Sequence, residues 1–186
     1  MRVSRFFAAP AIVMLCALPT STPAAAKISI VPQSRGGPPV TIGGFSYSFT
    51  PQRIHMNICD TDICGLGSKV SYVFYPAQPG LTFEAWKAQR KVIEKELKAH
   101  LPARAVFKVR PPTQSKDKVF SIFESKRTVT MPDGQTQVTI SQLLLTKAMS
   151  IELISSGKEE KQVEINLALF MIGTMSIAIS KDEAKP

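Results

Sequence analysis

Residues 69–100 read KVSYVFYPAQPGLTFEAWKAQRKVIEKELKAH, a strand followed by a proline-rich turn and a helix. In Lys69–Tyr75, Val70, Tyr72 and Phe74 alternate with Ser71, Val73 and Tyr75. Successive side chains of a strand point to opposite faces, so this one carries apolar groups on both. It is expected in the middle of a sheet. Pro76, Pro79 and Gly80 end it, and Thr82 is placed to cap a helix running to about His100. Along that helix Phe83, Trp86, Ile93 and Leu97 recur at three- and four-residue steps, supported by Ala85 and Val92. Lys87, Arg90, Lys91, Lys95 and Lys98 fill the other face, interleaved with Glu84, Glu94 and Glu96. A single apolar stripe means a single packed side, so the helix lies on one side of a sheet. Trp86, the only tryptophan, sits on that stripe as a core anchor.

Working outward, Phe45, Tyr47 and Phe49 alternate with Ser46 and Ser48, and Ile54, Met56 and Ile58 share one face of Arg53–Ile58. Both read as strands. Beyond the helix, Ala105–Arg110 is a strand closed by Pro111 and Pro112, and Lys118–Thr130 a longer one. Met131-Pro132-Asp133-Gly134 signals a hairpin turn, with Thr136–Leu145 returning and Met149–Ile154 following. Lys158–Ile179 reads as a helix whose first turn holds Glu159 and Glu160, where negative charge suits the dipole. Its β-branched residues after Gly173 suit a strand equally. The order implies an α+β fold: an antiparallel sheet of five to seven strands covered by a long central helix and a C-terminal helix.

The N-terminus has the parts of an export signal. Arg2 and Arg5 precede an apolar stretch, Phe6–Leu18, and helix breakers from Pro19 to Pro23 lead to Ala24-Ala25-Ala26. Small residues before the cut suit signal peptidase, so cleavage near Ala26 is expected, with the product periplasmic or extracellular. The apolar run is too short for a membrane anchor, which needs about 20 residues. Residues 27–44 form an extended lead-in rich in proline and glycine, apart from a short strand at Ile28–Val31. Residues 45–180 make a single domain, and 181–186 a charged, frayed tail. Leu167–Ile179, the most apolar later stretch, is short of membrane-spanning length, so the mature chain is expected to be soluble.

Cleavage removes two of 23 basic residues and none of 14 acidic ones, so the formal net charge falls from +9 to +7. A basic exported chain is drawn to anionic envelope components. The basic residues are scattered rather than blocked, and a nucleic-acid partner is not expected. Lys87, Arg90, Lys91, Lys95 and Lys98 are the candidate surface for an anionic partner. Cys59 and Cys64 remain in the mature chain. At short spacing in an exported protein they read first as a structural disulfide. A metal site drawing on His55, Cys59 and Cys64, with Met56, is the sharper alternative, but His55 and Met56 are neighbours on a strand and diverge. A redox pair fits less well, the spacing not being Cys-x-x-Cys.

Catalytic signatures are not evident. There is no Gly-x-Ser-x-Gly, no His-Glu-x-x-His and no phosphate-cradling loop. His100 sits where a cation caps a helix end, and His55 has no evident carboxylate or serine partner in sequence. Three readings follow. The first is a non-enzymatic accessory or binding protein, its partner a protein or an anionic envelope component, with no cofactor or metal. The second is a carrier of small hydrophobic ligands. The third, least supported, is a hydrolase or metal enzyme built around His55 and the Asp60–Asp62 loop.

Over about Phe45–Ile179 the chain resembles the Mog1/PsbP-like group of small α+β proteins, to which the DcrB-like exported proteins are similar. The residues that carry this are Pro79-Gly-Leu-Thr-Phe-Glu-Ala-Trp86, the hairpin at Pro132-Asp133-Gly134, and a last helix with Phe170, Ile172 and Met175-Ser176. The match is one of element order, and the short-spaced cysteine pair departs from it. The resemblance implies a scaffold for accessory binding rather than catalysis; fold by itself does not give function.

Overall fold

The computed structural model describes residues 28–30 and 38–183, with side chains from 38 to 180. The export signal, the rest of the lead-in and the last three residues lie outside the described residues. Two short strands, β1 (Ile28–Ile30) and β2 (Val40–Ile42), pair antiparallel. The main sheet has seven antiparallel strands: β3 (Phe45–Phe49), β4 (His55–Cys59), β5 (Lys69–Pro76), β6 (Val106–Lys116), β7 (Ser121–Thr130), β8 (Thr136–Leu145) and β9 (Met149–Gly157). Their order across the sheet is β3-β4-β5-β9-β8-β7-β6. Two helices complete the chain, α1 (Phe83–Ala99) and α2 (Glu160–Glu183). This is the expected α+β class, and β5 is an inner strand, paired with both β4 and β9.

Register assigns the two faces. Tyr72 pairs with Leu153, Leu144 with Ile151, and Ile122 with Leu144, so these share a face. There α2 lies over β8 and β9 and reaches β1, β2 and β5. Val70, Tyr72, Ile140, Leu144, Ile151 and Leu153 meet Val163, Leu167, Phe170 and Ala178 in one continuous core. On the opposite face α1 lies over β6 and β7, and its core is small: Trp86, Phe123 and Leu143, with Leu81, Phe83 and Leu145 partly buried around them. The Thr82 hydroxyl accepts from the Ala85 N–H at 3.2 Å, the expected N-cap.

Three expectations change, and one open alternative closes. Val40 and Ile42 are fully buried against α2, so the main core reaches residues ahead of Phe45 that read only as lead-in. Gly173 is what permits this: a Cβ there would meet the Val40 side chain at 2.6 Å. Pro111 and Pro112 do not close β6. The strand continues past them through a register shift between Arg110 and Thr113. It is an edge strand, where a missing N–H costs no ladder bond and discourages further strand pairing. Residues 173–179 are helical, because α2 is held along its length by one buried stripe. Finally, α2 is longer than its apolar centre: Glu160–Ser180 has the length and hydropathy of a membrane span, with mean hydropathy 1.7. Here one stripe of it fills the protein core instead.

Candidate functional site

The disulfide loop is built as a structural corner. Cys59 and Cys64 are bonded, both are buried, and between them lies a single 3₁₀ turn, Asp62–Cys64. The Asp60 N–H donates to Gly44 O at 2.8 Å, and Asn166 Nδ2 donates to Cys64 O at 2.8 Å, buried, from α2. Gly44 takes φ 89° with Thr61 and Cys64 pressed against it, which only glycine accommodates. Asp60 and Asp62 point to solvent. Among the described residues no three His, Cys, Asp or Glu side chains converge.

His55 lies in an aromatic nest on the α2 face near the β3 edge. Its ring stacks on Tyr72 at 4.7 Å and 10°, with Phe49 at 4.8 Å and Phe74 edge-on at 5.7 Å. Nδ1 is 2.9 Å from the Tyr47 hydroxyl. Burial lowers the His55 pKa, since the rings replace water around the cation. Burial likewise pushes the Tyr72 phenol well above its ordinary value. The ring is set for packing and one hydrogen bond to a phenol, and Asp60 and Asp62 are not brought to it.

The α1 face is chemically different. Arg90, read from sequence as a surface cation, is buried, so it does not belong to an exposed patch. It pairs with Glu152 of β9 and lies over the Trp86 ring at 5.3 Å. The physical reason is its place on the helix, at the border of the apolar stripe, where a long side chain can lie on Trp86 and reach the sheet. Arg127 of β7 is on the same face. Burial lowers its pKa, and the Arg90 charge pushes the same way, with Glu94 opposing both. Burial raises the Glu94 pKa, partly offset by Arg127, Arg90 and Lys91. Beside these charges Trp86 Nε1, Arg90 Nε, Ser141 Oγ and Ser150 Oγ are buried with no hydrogen-bond partner among the described residues. Each such atom costs roughly 1–3 kcal/mol.

Next to this polar layer the sheet is left open. A groove of about 290 Å³ is lined by Ser71, Val73 and Tyr75 of β5, Glu152 and Ile154 of β9, and Ile54 and Gln52 from the β3–β4 turn, with Tyr72 contributing. None of the α1-face side chains Met56, Ile58, Val73 and Ile154 is buried, whereas the same strands bury Val70, Tyr72, Ile151 and Leu153 behind them. Burial raises the Tyr75 pKa, and the neighbouring Glu152 adds to it. The groove can therefore take an apolar group at its floor and a hydrogen-bonding group at its Tyr75–Glu152 rim.

The remaining predicted surface residues stay outside. Lys91, Lys95 and Lys98 are exposed, and Lys87 is partly so, 3.5 Å from Glu84 and 5.8 Å from the Phe83 ring centre. At about 100° per residue, these four lysines fall within a stripe about 80° wide. Sequence reasoning missed Glu152 and Arg127. The available signal was a charge inside an otherwise apolar strand, Ile151-Glu-Leu-Ile154, and a mid-strand Lys126-Arg127 pair. Lys126 faces α2, where it binds Glu160 and Glu164. Desolvation opposes its charge, but those two hydrogen bonds outweigh it and hold its pKa above the ordinary lysine value.

No protein-family model matches the chain, and no curated protein matches it. Among solved structures it is similar to cyanobacterial PsbP (CyanoP) from Synechocystis sp. PCC 6803. That likeness has a TM-score of 0.50 at 7% identity, covering 73% of this chain and 82% of the other. The fold is thus Mog1/PsbP-like, as the order of elements implies, and the likeness extends to fold alone.

Proposed function

We propose that this chain is an exported, non-enzymatic accessory protein that binds its partner across the α1 face of the sheet. The observation that carries this reading is the open apolar groove at Tyr75 and Glu152, bordering a layer of buried polar atoms that have no partner among the described residues. A sheet face that stays uncovered on one half, while Val70, Tyr72, Ile151 and Leu153 are buried behind it, is the kind of surface a second molecule completes. The lysine stripe of α1 supplies long-range attraction for an anionic protein surface or envelope component. Export is supported by the N-terminal signal pattern and by the disulfide, which persists in an oxidising compartment. The groove is at or below the roughly 300 Å³ at which small-molecule pockets begin and is open along one side, which favours a protein side chain over an enclosed lipid-like cargo.

Site-specific photocross-linking tests the reading. A photoreactive residue at Val73, in the groove, is expected to give a defined adduct in envelope extract, and one at Val92, which is exposed on the outside of α1 and not part of its packed stripe, none. Lys91→Glu with Lys95→Glu should weaken the Val73 adduct at low salt and leave folding within about 0.5 kcal/mol of the parent. Equal adducts from both positions, or none from Val73, would remove the groove from consideration. N-terminal sequencing of the exported product should begin at Lys27.

A further inference from the structure

α2 is apolar on two faces, and the sheet uses only one. Its inner stripe, Val163, Leu167, Phe170, Thr174 and Ala178, is buried. From Ile165 to Ser180 the helix carries no charged residue, yet Ile165 is 44% and Ile172 54% exposed, and Ala168 and Ser176 are exposed with them. A helix apolar all round is ordinarily buried all round.

The outer residues have a definite pattern. Ile165, Ile172 and the partly buried Ile179 recur every seven residues, with Ala168 between the first two, the spacing of a helix–helix seam; Met175, the other intermediate position, packs against the core. The pattern is also palindromic about Ile172. Isoleucines stand seven residues to either side, and small residues (Ala168, Ser176) four residues to either side. An antiparallel two-fold copy of the helix therefore matches itself. Ile172 meets Ile172, Ile165 meets Ile179, and Ala168 faces Ser176, which lets the two backbones approach. From this we propose that the protein forms a two-fold symmetric dimer through the outer face of α2, the helices antiparallel and centred on Ile172.

A membrane surface fits the same stripe less well. Interfacial helices flank their apolar face with lysine and arginine, whereas the lysine stripe of this protein is on α1, across the sheet. An isologous contact covers the apolar seam of both copies with one operation. It also leaves the α1 face free in both copies.

Sedimentation velocity on the purified protein over micromolar concentrations should show reversible monomer–dimer exchange. Ile172→Asp, which sets two carboxylates on the axis at an exposed position, should weaken the dimer by about tenfold or more with an unchanged circular dichroism spectrum. A protein monomeric throughout overturns the proposal, as does a dimer indifferent to Ile172→Asp. So does a monomer that instead co-sediments with phosphatidylglycerol vesicles and loses this with Ile172→Asp.

Discussion

On one face of the sheet α2 meets Val70, Tyr72, Ile140, Leu144, Ile151 and Leu153; on the other α1 meets Phe123 and Leu143 beside Arg127, Ser141 and Glu152. The first face is held by apolar area and ring packing, such as Phe170 set edge-on to Phe45 at 5.2 Å. The second is pinned by one tryptophan and one ion pair. Apolar burial is non-directional and adds over many residues. A buried pair is all-or-none, since losing one partner strands the other. The two layers therefore differ in kind: α2 secures the fold by apolar area, with Tyr72 Oη and Gln142 Oε1 as its buried atoms without a partner among the described residues, whereas on the α1 side four such atoms lie next to an open surface.

The strongest way to break this contrast is in the α2 layer. Phe170→Ala removes a fully buried ring from between Phe45 and Tyr72 and should cost about 3–5 kcal/mol, read as a lower urea midpoint. A loss below about 1 kcal/mol would mean that α2 is not the main source of stability. Next in size is the α1 pin. Glu152→Ala should cost about 2–3 kcal/mol, less than a fully buried pair because Glu152 retains 22% side-chain exposure. Arg90→Met with Glu152→Met should recover most of that loss, because the unpaired charge goes with its partner. If the double change costs as much as the single one, the pair is not what holds α1.

The smallest effect is one of pH. Burial lowers the His55 pKa below the ordinary 6.5, so near and below that value the unfolded chain binds a proton that the folded chain does not. Stability then rises with pH through this window, and the contribution is lost as pH falls through the folded-state value. Replacing His55 with Gln should flatten the midpoint between pH 7 and 5 by that contribution. An unchanged slope would place the pH sensitivity elsewhere.

Much of the fold was legible because its signals are local. The alternation in Phe45–Phe49 and Lys69–Tyr75, the Thr82 cap and the Pro132-Asp133-Gly134 turn each depend on residues a few positions apart. Cys59 and Cys64 pair across five residues, also a local matter. Most of the errors involve distant partners. Val40 looked like linker because its contact, Gly173, is far along the chain, and Arg90 looked like surface because Glu152 is 62 residues away. Pro111 and Pro112 looked like a strand end because sequence does not tell an edge strand from an inner one. The groove was invisible for a related reason: Ile54, Val73 and Ile154 belong to three segments that only pairing brings side by side.

The sequence by itself therefore determined the α+β class, the helix α1 with its cap, the hairpin and the cysteine pair, since periodicity and turn chemistry act within a few residues. Only the tertiary structure decided which apolar face of each element is covered. Coverage depends on what packs from elsewhere in the chain: α2 fills one side of the sheet, α1 half fills the other, and the outer stripe of α2 at Ile165 and Ile172 is left exposed.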